Sequence, residues 1–144
     1  LGLVADSGYP PALITFELTE SVMVKDVDAV VEKMEKIRNL GCTFSLDDFG
    51  TGYSSLSQLR RLPISEIKID RSFVLSALND STSADIVDMV KRIGESMNVR
   101  VVAEGVETQE HADFLKTHHP GVYLQGYFFG RPAPLWTFFV EKSH

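Results

Sequence analysis

Two aspartates stand side by side in "FSLDDFGTGYSSL" (44–56), at the end of an apolar stretch and ahead of a glycine-rich loop. Carboxylates about 3 Å apart cannot both stay ionised at low cost unless a cation lies between them. A divalent metal, or two metals sharing Asp47, is the simplest remedy. Glu17 and Glu104 stand at the ends of other apolar stretches and would complete an oxygen-rich site with Asp47 and Asp48. Such hard ligands suit Mg2+ or Mn2+. No His or Cys cluster accompanies them, so zinc is not expected, and His118-His119 reads as a solvated helix end.

Asp47-Asp48 read alone could equally be a helix or turn cap after a strand, and the other candidates also have two readings each. Lys68 is either a charge partner of Asp70 or the carboxylates, or a cation holding an attacking water or an anionic substrate. Glu20 is either an acid at a helix start or an acceptor for loop donors. Glu107 is either a support for the site or a solvated turn acid. "GTG" (50–52) lets a backbone approach a ligand or move, unless it is a plain tight turn. Cys42, Trp136 and Phe138-Phe139 read as packing.

Two resemblances to motifs fail. "DDFGTGYSS" has the strand, Gly-x-Gly and helix order of a dinucleotide fingerprint, but Ser55 replaces the third glycine and the aspartates would repel a pyrophosphate. "DFG" lacks the H-R-D and A-P-E partners of a protein kinase.

These residues need elements to position them. Short apolar stretches at 13–18, 42–48, 66–70, 99–105 and 122–127 read as strands. Between them, Val27, Val30, Val31, Met34 and Ile37 share one helical face, with Gly41 as the stop. Ile86, Val87, Val90, Ile93 and Met97 share another, and Thr108 is a good cap for a third helix. Shorter helical stretches are expected at 54–62, 72–78 and 134–142.

Alternating strands and helices imply parallel pairing with right-handed crossovers. The strands read as near-continuous apolar runs, as if covered on both faces. An open doubly wound sheet and a closed barrel both fit this pattern. Glu17, Asp47, Asp48, Lys68, Asp70, Glu104 and Gln125 lie at or near the carboxyl ends of five strands, which favours a barrel, where those ends share one mouth. A complete barrel has eight strands. The 144 residues therefore read as one domain, residues 1–144, forming about five C-terminal βα units of an α/β barrel.

Bulk properties set the setting. There is no apolar run of membrane-spanning length and no basic leader. The lone cysteine fits a reducing compartment, so a cytoplasmic location is expected, with membrane tethering of the parent through other domains as the alternative. Twenty acidic against fourteen basic residues leave a charge of −6, which disfavours DNA or RNA binding by blanket electrostatics. An anionic small ligand is still compatible if metal ions supply positive charge.

"FELTES", "DDFGTGYSSL", "IKIDRSFV", "VVAEGVET" and "QGYFFGRP", in this order, closely resemble the EAL domain family of bacterial cyclic-di-GMP phosphodiesterases and receptors. The match runs from about Ile14 to Pro132. The resemblance implies a TIM-like barrel with one antiparallel strand. It also implies hydrolysis of cyclic-di-GMP to the linear dinucleotide pGpG with two Mg2+ or Mn2+ ions. Carried over, Glu17 matches a ligand of the first metal, Asp47 the bridging ligand and Asp48 a ligand of the second. Glu104 matches a further acid at the second metal, and Lys68 the lysine that contacts the attacking water. Gln125 matches a residue near that water and the substrate, with Asp70 also assigned to the substrate. Glu20 matches the anchor of the "DDFGTG" loop, which the family links to homodimer formation, and Glu107 a supporting acid.

The chain lacks the Glu-Ala-Leu signature and the strand whose asparagine completes the first metal site. The expectation is a truncated domain, weak or inactive alone, whose parent adds the N-terminal half of the barrel and sensory domains. A non-catalytic cyclic-di-GMP-binding or interaction module is the alternative.

Overall fold

A computed structural model describes residues 2–6, 8–20, 26–52 and 55–134. The strands expected from the sequence are β1 (Thr15–Thr19), β2 (Thr43–Phe49), β3 (Glu66–Ile69), β4 (Arg100–Ala103) and β5 (Tyr123–Leu124). They form one sheet in the order β1-β2-β3-β4-β5, and every neighbouring pair is parallel. The antiparallel strand implied by the resemblance is not among them.

The strand order chooses between the two architectures. A doubly wound sheet reverses direction at a switch point. Here the chain steps one strand onward each time. Right-handed crossovers then put the connecting helices on one face and leave the other face to a barrel interior. The sheet is a five-strand sector of such a barrel.

Helices α1 (Gly2–Asp6), α2 (Val27–Arg38), α3 (Leu56–Leu59), α4 (Arg71–Ser76), α5 (Ser81–Met97) and α6 (Gln109–His118) complete the described elements, with a 3-10 turn at Pro11–Leu13. Side-chain caps explain their starts. Asp26 accepts from Ala29 N, Asp80 from Thr82 N and Ser83 N, and Thr108 from His111 N. The Asp80 cap begins α5 at Ser81, ahead of the apolar face that starts at Ile86. α5 ends at Asn98, whose φ of 55° terminates the helix in the left-handed conformation. α1 had no counterpart in the sequence reading. Trp136, Phe138-Phe139 and most of the expected 134–142 helix lie outside the described residues, as do Tyr53 and Ser54.

Strand alternation sorts the side chains. Phe44, Leu46, Ile67, Ile69, Val101 and Ala103 face outward and form the core with Met34, Val87, Val90, Ala112 and Leu115 of the helices. Each such large apolar side chain contributes about 1.5–3 kcal/mol by leaving water. The pairings Glu17↔Ser45, Ser45↔Glu66, Glu66↔Arg100 and Lys68↔Val102 place polar residues on the opposite face. The strands are therefore not apolar on both faces as expected. The inner face carries hydrogen bonds such as Ser45 Oγ to Glu66 at 2.9 Å.

Cys42 is a buried free thiol, consistent with packing. His118 is exposed as expected, but His119 is a correction. It is buried beside Phe114, at a ring separation of 5.7 Å, because the chain turns inward after α6 to enter β5.

Candidate active site

On a regular strand Asp47 and Asp48 point to opposite faces. A bulge removes the conflict. Leu46 pairs with Ile67 and Phe49 with Ile69, so three steps on β2 match two on β3. The extra residue is absorbed at Asp48, whose φ is +54°. Aspartate is among the few non-glycine residues that enter this region readily. Asp48 N also donates to Asp47 Oδ1 at 3.0 Å.

Through this bend Asp47, Asp48 and Glu104 each present a carboxylate oxygen, all within 4.8 Å of one another. This is an oxygen-only donor set, suited to Mg2+ or Mn2+ rather than zinc. Burial and the charges of Asp47 and Asp70 push the Asp48 carboxyl above the ordinary range. Burial raises Glu104 as well; its bond to Lys68 works the other way, while Asp47 and Glu17 add to the rise. The cluster holds more negative charge than one lysine neutralises.

Lys68 is buried among the acids. Its Nζ lies 2.5 Å from Glu17 Oε1, 2.9 Å from Glu104 Oε1 and 4.0 Å from Asp47 Oδ1. Burial alone would lower its pKa, but the hydrogen bonds it donates to Glu17 and Glu104 and the surrounding negative charge raise it. Lys68 is therefore a fixed ammonium that links β1, β3 and the end of β4. Glu17 joins the site through Lys68 and is not one of the three clustered carboxylates.

The remaining candidates surround this centre. Glu20 is buried and accepts the Gly52 N–H at 2.9 Å, while Thr51 Oγ1 donates to Asp48 O at 2.9 Å. The loop after β2 is thereby tied to the loop after β1. Asp70 caps α4, accepting Ser72 N at 2.8 Å through Oδ1. Gln125 is held beside β4 by Gln125 N to Ala103 O at 2.9 Å and Val106 N to Gln125 O at 3.0 Å. It lines a cleft of about 190 Å3 with Arg71, Glu104, Gly105, Glu107, Gly126 and Tyr127.

Arg71 was missed by the sequence reading. It is an ion-pair partner of Glu107. Its stem crosses Gly105, where a Cβ would lie 2.2 Å from Arg71 Cγ and where φ is +75°. The only sequence signal is a cation directly after Asp70, which is equally ordinary at a helix start.

A parallel barrel sector with an acidic, oxygen-only cluster at the carboxyl ends of its strands is the class that fold and site define. The chain belongs to the EAL domain family, whose model matches residues 2–132. It is 45% identical over 124 residues to the bifunctional diguanylate cyclase/cyclic di-GMP phosphodiesterase MucR of Pseudomonas aeruginosa, covering 86% of this chain but 18% of MucR. The MucR phosphodiesterase structure in complex with c-di-GMP superposes with a TM-score of 0.87 at 40% identity, over 95% of this chain and 55% of that one. The manganese/cyclic-di-GMP complex of Klebsiella pneumoniae BlrP1 gives 0.80 at 34% identity, over 90% and 33%. The chain thus spans a small part of its full-length relative and about half of the MucR phosphodiesterase structure.

Proposed function

We propose that the protein carrying this chain hydrolyses one phosphodiester bond of cyclic-di-GMP to linear pGpG, dependent on Mg2+ or Mn2+. The observation that carries this reading is the convergence of Asp47, Asp48 and Glu104 beside buried Lys68. The similarity to a phosphodiesterase complexed with the same dinucleotide supports it.

The residues divide the work. Asp47, Asp48 and Glu104 would hold the ions, with Glu17 at the first of them. When bound, divalent ions would offset the charge of the substrate phosphate and lower the pKa of water. Lys68 donates hydrogen bonds from a fixed position and orients the attacking water. A water oxygen forms the new bond to phosphorus and gives up one proton, the bond to the 3′ oxygen breaks, and that oxygen leaves with one proton as a hydroxyl, so that the elements of water are divided between the two products. Gln125 orients water and substrate from the end of β5. Asp70 contributes to the substrate side while fixing α4, and Glu20 holds the loop that follows Asp48. Glu107 supports the site from the cleft.

The same reading includes a working unit larger than residues 1–144. Five strands leave the barrel open, and an N-terminal barrel half would supply the remaining strands and first-metal ligands. Hydrolysis by this chain alone would then be weak or absent. A cytoplasmic homodimer with sensory domains upstream completes the proposal. Among the described residues no helix is long and apolar enough to cross a membrane.

The test is incubation of the chain, and of its full-length parent, with cyclic-di-GMP and Mg2+ or Mn2+, followed by chromatography of products. Linear dinucleotide from the parent that vanishes in Asp47→Ala is the expected result. Tight binding without product from the parent would replace this reading with that of a receptor.

A further inference from the structure

We propose that Arg71 is a positioning residue for ligand binding, which fixes the Glu107 carboxylate over the cleft beside Glu104 and Gln125. The inference rests on the reading that the site takes cyclic-di-GMP. It assigns that cleft to the nucleoside flanking the scissile phosphate.

The geometry begins at Glu104, which belongs both to the carboxylate cluster and to the wall of the cleft. A phosphate held at the cluster therefore presents its neighbouring nucleoside to the cleft. The next residue, Gly105, has no side chain because the Arg71 stem occupies that space: a Cβ there would meet Arg71 Cγ at 2.2 Å and Cδ at 2.8 Å. Arg71 is the first residue of α4, directly after the Asp70 cap. It reaches from the start of α4 to the loop after β4 and forms an ion pair with Glu107. Both charged groups line the cleft, one as a donor fork and the other as an acceptor.

Charge gives the pair its consequence. Asp47, Asp48, Glu104 and Glu107 stand near a ligand that is itself anionic. Without the guanidinium, Glu107 is free to leave its acceptor position, and its charge opposes binding. The chemical step at Lys68 and the clustered carboxylates is not touched directly. Arg71 should therefore act on affinity.

The experiment is steady-state hydrolysis of cyclic-di-GMP by the full-length protein with Arg71→Met, Arg71→Lys and Gly105→Ala. Arg71→Met, which keeps the stem and removes the charge, should raise KM about tenfold with a much smaller change in kcat. Arg71→Lys should recover part of the loss. Gly105→Ala, which displaces the stem, should reproduce the KM effect. A fall in kcat at unchanged KM, or no change in either, overturns the proposal. Wild-type protein that binds cyclic-di-GMP without cleaving it defeats the phosphodiesterase reading alone, and the same variants are then compared by Kd. Wild-type protein that neither binds nor cleaves defeats both.

Discussion

The buried carboxylate of Glu20 accepts the backbone N–H of Gly52 at 2.9 Å, across 32 residues of chain. A Cβ on Gly52 would lie 2.9 Å from Glu20 Cδ, so the bond requires both the acid and the missing side chain. Glu20→Ala and Gly52→Ala should release the loop that holds Asp48, each at a cost of about 1–2 kcal/mol in stability. Mn2+ affinity by calorimetry should fall in both. Glu20→Gln, which keeps an acceptor, should lose less. Equal Mn2+ affinity in all three would show that the loop is held by other means.

Asp48 sits at φ +54° between neighbours that also carry charge. Replacing it with glycine removes the conformational cost and one of the repelling carboxylates. Asp48→Gly should be as stable as the parent or more stable by about 1 kcal/mol without metal, by urea unfolding. It should also bind Mn2+ more weakly. Loss of stability would mean that Asp48 contributes a bond that outweighs its strain.

Lys68 neutralises part of the acidic cluster from a buried position. Lys68→Met should lower stability by about 2–3 kcal/mol in metal-free buffer, since it strands the acids around it. Mn2+ should restore part of that loss by replacing the missing positive charge, while hydrolysis by the parent stays abolished. A variant as stable as wild type in EDTA contradicts this account.

His119 is buried with neither ring nitrogen hydrogen-bonded, and Asp88 Oδ1 lies 4.0 Å from Nδ1. Burial lowers its pKa; Asp88 opposes the shift, and His118 and Lys91 add to it. The folded state thus binds a proton less readily than the unfolded chain. His119 leaves stability intact above its ordinary value of about 6.5, and stability declines as pH falls below that. Urea midpoints at about pH 7.5 and about pH 5.5 should therefore differ more in wild type than in His119→Phe. An identical pH dependence in the two proteins would rule His119 out as the cause.

Sequence by itself determined the alternation of strands and helices, because side-chain periodicity and caps such as Thr108 are local properties of the chain. It also singled out Glu17, Asp47, Asp48, Lys68, Glu104 and Gln125, because each is a polar residue within or directly after an apolar stretch. Only tertiary structure decided which of them meet. The bulge that turns Asp48 toward Asp47 depends on pairing with β3, which is set by residues twenty or so positions away. The bond between Glu20 and Gly52, the ring of acids around Lys68 and the crossing of Arg71 over Gly105 all join separate loops. Burial of His119 likewise depends on what packs beside the turn into β5. Periodicity reports the face on which a residue stands, whereas partners and charge environment arise only when distant segments are brought together.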